Sequence, residues 1–323
     1  MQLSSAPQGF SAVAGKVPAP CLVLAGVCGI QFGAALAPRV YPQVGSAGVV
    51  FLRLLIAGGL LCVMWRPRRA ALSRMKGAWP AMLGAGTLLA GHHIAFFAAV
   101  ESNVPLGVVA TIEFLGPFTI ALAASRRLAD LVPACVAAGG VALLSGGGAA
   151  SLPPGGVVLA ALAACCWAGY ILVSARMARL IDGGQGLAVV FTWAALVSAP
   201  YGILHGKTAL LDPHVLWVAV VVAVASSVLP YSLNLEALRR IPPRVFGVLT
   251  SLEPAAGAVF GLAVLGQHLR WPQWLGIAAV ASASVTAVLT SPEKRSRVRA
   301  TGSPAAETSA AREEAGVPAC GVP

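Results

Sequence analysis

Apolar runs separated by Pro, Gly and clusters of charge recur along the chain from Pro20 to Leu289. A bilayer core of ~30 Å is crossed by about 20 apolar residues in a helix, so the pattern predicts roughly ten spanning helices. They fall near Pro20 to Leu36, Gly48 to Trp65, Ala78 to Val100, Pro105 to Ala124 and Leu131 to Leu144 in the first half. Gly155 to Ser174, Gly186 to Leu204, Val215 to Leu235, Val245 to Leu265 and Trp271 to Leu289 follow in the second. A membrane barrel would instead show short alternating segments.

Polar positions between the runs carry a second pattern. Basic residues gather in alternate connections: Arg66, Arg68, Arg69, Arg74 and Lys76 after the second run, Arg126 and Arg127 after the fourth, Arg176 and Arg179 after the sixth. Arg239, Arg240 and Arg244 follow the eighth, and Lys294, Arg295, Arg297 and Arg299 the tenth. The intervening connections hold only Arg39, Lys207 and Arg270. By the positive-inside rule this alternation predicts an even number of spans with both termini cytoplasmic. Five spans per half is odd, so the second half enters the membrane in the opposite sense to the first. The fold class expected is therefore an all-α membrane protein of ten transmembrane helices arranged as two inverted five-helix repeats. Its parts are an N-terminal cytoplasmic segment (1–18), the two repeats (19–148 and 149–290) and a cytoplasmic tail (291–323) whose Ser, Pro, Ala, Glu and Arg mixture predicts disorder.

Composition agrees with lipid as the solvent. Hydrophobic residues make up 58% of the 323 positions and charged residues 10%, too apolar for a soluble domain of this length. The 36 glycines suit helices that approach closely where no hydrophobic effect drives them together. A net charge of +11 would fit nucleic acid, but the basic residues sit at the ends of apolar runs, so no nucleic-acid partner is expected. None of the seven cysteines forms a C-x-x-C pair, and they read as small helix-packing residues. The segment before Pro18 carries a single lysine, and the run after it is long enough to span, which predicts an uncleaved first helix rather than a signal peptide.

Two glutamates interrupt this apolar background at matching points. Gly107-Val108 leads to Thr111-Ile112-Glu113, and Gly247-Val248 leads to Ser251-Leu252-Glu253. An ionisable group inside a span is costly, and a doubled one points to a transport site. Glu113 lies about 12 Å into its span at 1.5 Å per residue, and Glu253 lies at a similar depth from the opposite face. Gly116-Pro117 and Pro254 stand beside them as helix breakers whose freed carbonyls would help hold a cation or an amine. Burial disfavours the charged carboxylate, so at least one of the two is expected to alternate between a proton and a cationic substrate group. The alternative is a protonated or paired glutamate that only locks helices together.

Arg53, in Phe51-Leu52-Arg53-Leu54-Leu55, either snorkels to the membrane surface or pairs with a buried glutamate or a substrate carboxylate. Adjacent His92 and His93 point in different directions on a helix, so they cannot chelate one metal together. That leaves cavity titration or helix packing as their role. Trp167, Tyr170, Tyr231, Ser232 and Asn234 offer an aromatic and amide lining that would hold an ammonium group, although each type also serves at interfaces. No G-x-x-x-x-G-K-[ST] is present, so energy from an ion or substrate gradient is expected, with no cofactor and no metal.

Several strings resemble the EamA-type branch of the drug/metabolite transporter superfamily, and within it the exporters of small amino acids. They are Val104-Pro105-Leu106-Gly107 running on to Ile112-Glu113-Phe114-Leu115-Gly116-Pro117, then Cys166-Trp167-Ala168-Gly169-Tyr170-Ile171-Leu172. Leu229-Pro230-Tyr231-Ser232-Leu233, Ala237-Leu238, Phe246-Gly247 and Ser251-Leu252-Glu253-Pro254-Ala255 complete the set, so the likeness covers nearly all of Pro20 to Thr290. The resemblance implies a bacterial inner-membrane carrier that exports small amino acids such as threonine or homoserine, or their analogues, against protons. One departure stands out: many relatives carry an acid after the Leu-Gly that ends the ninth span, where this chain has Leu265-Gly266-Gln267.

The rival readings are efflux of lipophilic cations, which would use the glutamates and aromatics but not Arg53, and a receptor or structural protein, which would leave the paired glutamates unexplained. An intramembrane enzyme is disfavoured, since neither H-E-x-x-H nor G-x-S-x-G occurs. A homodimer stays open.

Overall fold

The computed structural model describes residues 17–65, 76–123, 152–177, 184–238, 240, 241 and 243–290, with isolated helical positions between 132 and 143. The expected fifth span, the tail 291–323 and most of the N-terminal segment lie outside the described residues. Every regular element among those residues is a helix.

The chain begins with α1 (Ala19–Leu36) and passes through a 3-10 turn (Ala37–Val40) into α2 (Tyr41–Trp65). Ala19–Trp65 is 47 residues of apolar chain. As one straight helix it would be about 70 Å long, more than twice a bilayer core. Two features divide it: the 3-10 turn at Pro38 and a break at Gly45, whose φ of 64° and ψ of 173° lie outside helical space. Glycine takes that backbone without strain. The helix restarts at Ser46, where the Glu101 carboxylate accepts from both the backbone N–H (3.2 Å) and Oγ (2.5 Å).

Next come α3 (Trp79–Glu101), α4 (Leu106–Ala123), α5 (Pro154–Met177) and α6 (Gln185–Gly206). Asp212 caps α7 (Pro213–Ala223) by accepting from His214 N at 2.8 Å and Val215 N at 3.3 Å. A π turn (Val224–Val228) leads on into α8 (Leu229–Leu238). After it come α9 (Pro243–Thr250), α10 (Glu253–Leu265) and α11 (Trp271–Thr290). Six stretches of the described residues are long and apolar enough to cross a membrane, the double-length Ala19–Trp65 counted as one; α4 adds the shorter apolar run Leu106–Gly116.

The ninth expected span departs from a single helix. Pro254 has no N–H to give the carbonyl of Thr250, so the helix stops at Thr250 and restarts at Glu253 after the Ser251-Leu252 turn. By contrast α4 runs unbroken through Gly116-Pro117, although Pro117 leaves the Glu113 carbonyl without its usual helical donor.

Helix α2 packs on α6, α3 on α5 and α6, and α4 on α5, α10 and α11, while α1 lies on α8 and α10 and α7 on α2. Phe97, Phe191, Leu54, Leu61, Met82 and Leu89 fill the centre. Apolar side chains also cover the outside, Leu55, Val63, Leu172 and Leu204 among them, as lipid requires. The cysteines divide between the two environments: Cys166 packs 3.2 Å from the Cβ position of Gly91 and Cys62 meets Thr192, whereas Cys21, Cys28 and Cys165 face outward. A general packing role for them therefore does not hold; outward small side chains cost nothing in lipid.

Candidate substrate and proton site

The glutamate motifs share one local hydrogen bond, although the first lies in a continuous helix and the second spans the break between α9 and α10. Thr111 donates its Oγ1–H to the Gly107 carbonyl at 2.5 Å, and Ser251 donates to the Gly247 carbonyl at 2.9 Å. In each motif the hydroxyl therefore closes back on the motif's glycine, two residues before the glutamate. Their surroundings then diverge. Glu113 stands in the middle of α4, and Glu253 is the first residue of α10, where the helix N-terminus favours an anion.

Two close approaches set the position of Glu113. A Cβ on Gly107 would stand 2.7 Å from the Ala258 Cα on α10, and one on Gly116 would stand 2.4 Å from the Ala164 carbonyl oxygen on α5. Only glycine lets α4 seat against both neighbours, so Glu113 lies between the helix that carries Glu253 and the helix that carries Trp167. It is within electrostatic range of Glu253 and Arg53.

The side chain at ion-pair distance from Glu113 among the described residues is a histidine. His92 Nε2 lies 3.6 Å from Glu113 Oε1, and the other ring nitrogen, Nδ1, is 3.4 Å from the Ala163 carbonyl of α5. Trp167 covers the imidazole, with ring centroids 5.0 Å apart, and itself stacks on Tyr170 at 5.1 Å with planes 15° apart. Tyr170 interacts with Tyr231 of α8, which meets Phe191 edge-on at 5.1 Å.

Arg53 does not snorkel: it is 4% exposed. It forms no ion pair with either glutamate among the described residues. Nε donates to Ser227 Oγ at 3.0 Å and Nη2 to the Ser226 carbonyl at 3.1 Å, both in the π turn, and the guanidinium carbon lies 5.3 Å from the centre of the Phe97 ring. The turn's irregular backbone is what presents these acceptors. Among the described residues no hydrogen bond from Nη1 accompanies these, and the guanidinium is in electrostatic range of Glu113 and Tyr231.

Arg53, Glu113, Trp167, Tyr170 and Tyr231 thus belong to one buried neighbourhood with Glu253 at its side. Asn234 faces α1, where its Oδ1 lies 2.9 Å from the Cβ position of Gly26. Ser232 turns its hydroxyl back to the Val228 carbonyl at 2.7 Å. His92, Ser226 and Ser227 enter the site although sequence spacing does not single out their role; burial of a histidine in an apolar run was the only available signal. Among the described residues no group of three His, Cys, Asp or Glu could hold a metal ion.

Comparison with known proteins decides the class. Residues 154–289 match the EamA-like transporter family. The chain is 36% identical over 271 residues to the threonine/homoserine exporter RhtA of Escherichia coli (strain K12), covering 83% of this chain and 90% of that protein. The chain belongs to the EamA-like transporter family. It is a multi-pass membrane transporter. The threonine/homoserine exporter RhtA of Salmonella typhimurium (strain LT2) is likewise 36% identical over 274 residues, 84% of this chain and 92% of that one. The uncharacterized transporter YwfM of Bacillus subtilis (strain 168) is 26% identical over 234 residues, 70% of this chain and 78% of its own. A crystal structure at 20% sequence identity aligns with a TM-score of 0.57 over 84% of this chain and 97% of its own, a likeness of fold alone.

Proposed function

We propose that this transporter exports small zwitterionic amino acids of the threonine and homoserine kind across a bacterial inner membrane in exchange for protons. The observation that carries the reading is the pair of glutamate motifs with a shared local hydrogen bond, brought to one buried site beside Arg53. The substrate ammonium goes to the glutamates, and Trp167, Tyr170 and Tyr231 wall the site. The carboxylate goes to the Nη1 edge of Arg53, which the π turn holds in place. The substrate class also rests on the likeness to proteins named as threonine/homoserine exporters.

The architecture belonging to this reading is two inverted five-helix repeats. Helix packing supports it, because the contacts come in matched pairs. The first span on the eighth (α1 on α8) has its counterpart in the sixth on the third (α5 on α3), and the first on the ninth (α1 on α10) in the sixth on the fourth (α5 on α4). The first helix of each proposed half thus packs on the third and fourth of the other, the pattern a pseudo-two-fold relation would give.

Counterflow in proteoliposomes with a panel of labelled amino acids, with and without an imposed pH gradient, tests the proposal. Threonine and homoserine should exchange and respond to the gradient; exchange of no amino acid would sink the substrate class. Cells expressing the chain should resist amino-acid analogues. Protection against dye-like cations alone would favour lipophilic-cation efflux, the reading that needs the aromatic stack but not Arg53.

A further inference from the structure

The two glutamates share a motif but differ in what faces them, and the difference divides their labour. We propose that the Glu113–His92 pair is the proton carrier, and that Glu253 receives the substrate ammonium. This rests on the transport reading above and deepens it at the same site.

A carbonyl oxygen can only accept, so the contact of His92 Nδ1 with the Ala163 carbonyl assigns the ring hydrogen to Nδ1. In the neutral ring Nε2 is then a bare lone pair, and it points at Glu113 Oε1 from 3.6 Å. Two lone pairs facing each other in a buried site repel. One proton, on Oε1 or on Nε2, converts the repulsion into attraction. The pair is therefore complete with one proton and unstable with none. Taking that proton from water on one side forms one O–H or N–H bond, and releasing it to water on the other side breaks that bond; nothing else changes covalently.

Loss of the proton also has a mechanical consequence. His92 is fixed to α5 through the Ala163 carbonyl and covered by Trp167, and Glu113 is fixed in α4 between the Gly107 and Gly116 contacts. Repulsion between Nε2 and Oε1 then pushes α4 away from α3 and α5. Protonation thereby biases the contact between helices that must shift if access is to alternate.

No such partner faces Glu253. Among the described residues it makes no ion pair, and it stands as the first residue of α10, beyond the reach of His92's contact with α4. A carboxylate with no protein group at ion-pair distance among the described residues leaves its oxygens for an ammonium ligand. A proton-sharing one suits the coupling ion.

Helices packed around the pair bring further ionisable groups toward it. α3 itself contributes His93, α2 contributes Arg53, α5 contributes Tyr170 and Cys166, α8 contributes Tyr231 and α10 contributes Glu253. α6 meets α3 at Gly86 with Trp193 and the Val190 carbonyl, and α11, packed on α4, has no ionisable side chain in its sequence. Only His92 places a ring nitrogen at ion-pair distance from a glutamate among the described residues.

Two measurements test the assignment. In proteoliposomes the ratio of threonine counterflow with and without an imposed pH gradient should fall to one in Glu113→Gln, whose amide donates to Nε2 permanently. In His92→Gln the pH profile of the wild-type ratio should be displaced. Glu253→Gln should instead raise the KM for substrate at least tenfold. Gradient-driven accumulation by Glu113→Gln at the wild-type ratio would overturn the proposal. Should the wild type exchange no amino acid, or the variant not transport, infrared difference spectra of the purified proteins across pH decide the matter without substrate. The band of a protonated carboxyl should be absent from Glu113→Gln and present in Glu253→Gln, and the reverse result would overturn the assignment. Failure of amino-acid exchange with the expected spectra would reject the substrate class and leave the proton carrier standing.

Discussion

Arg53 shows how a buried charge is made tolerable. A guanidinium without partners in an apolar interior would cost several kcal/mol, and here two hydrogen bonds from the Nε edge go to Ser227 and to the Ser226 carbonyl. The sequence identified the anomaly and offered the membrane surface, a buried glutamate or a substrate carboxylate as its partner; the protein partner is instead a serine 174 positions away, and the substrate carboxylate is the partner proposed above. Ser227→Ala should therefore leave a charged donor unpaired. A hydrogen bond to a charged group contributes about 1.5–3 kcal/mol, so thermal unfolding in detergent should begin several degrees lower, as scanning fluorimetry would detect. Threonine exchange in the same variant should show a higher KM, because the fork is no longer aimed. The glutamates were legible from their neighbours in sequence. Nothing in the spacing distinguished Glu113 from Glu253, since the distinction lies in His92, which belongs to another helix.

Helix α4 is the element on which the site turns. Its glycines are read from sequence as generic small residues, yet Gly107 and Gly116 have specific backbone partners on opposite neighbours. Gly107→Val would drive a branched side chain into the Ala258 backbone, so α4 should be displaced from α10. Threonine exchange should be lost, and gel filtration should report whether the fold survives; Gly107→Ala should be milder in both. The N-terminus of α4 explains the departure noted at Gln267. Its Oε1 accepts from the Leu106 N–H at 2.9 Å, capping a helix from the far side of the second half. An acid in that place would make the same bond and would also favour the helix N-terminus. Gln267→Glu should accordingly keep stability and the pH response of transport, whereas Gln267→Leu should lose about 1 kcal/mol of capping, read as a lower unfolding temperature. A pH response that changes in Gln267→Glu would assign the position to proton movement instead. The broken ninth span was legible from Pro254, and the continuous α4 was not, because whether a proline breaks a helix depends on what packs beside it.

At the scale of the whole molecule, contacts sort the connections onto two ends. Ser46 meets Glu101, Leu106 meets Gln267, and Gly156 lies against Val104. These sites all adjoin connections poor in basic residues. At the other end Trp65 lies against Gly184, and Arg240 donates to the Val17 carbonyl. That grouping agrees with the alternation of basic connections, from which a cytoplasmic N-terminus is expected. Reporter fusions after Thr290 and within 66–75 should read as cytoplasmic, and a fusion between Glu101 and Pro105 as external; the opposite result would invert the topology. The class of the protein, its spanning runs and its paired glutamates were decided by the sequence alone, because lipid imposes on every residue the same local rule, that backbone and charge be satisfied within the segment or excluded from it. The pairing of Glu113 with His92, the hold of the π turn on Arg53 and the contact of Asn234 with α1 were decided only by tertiary structure. Each depends on distances between helices far apart in sequence, and those are set by which small side chains let two backbones approach.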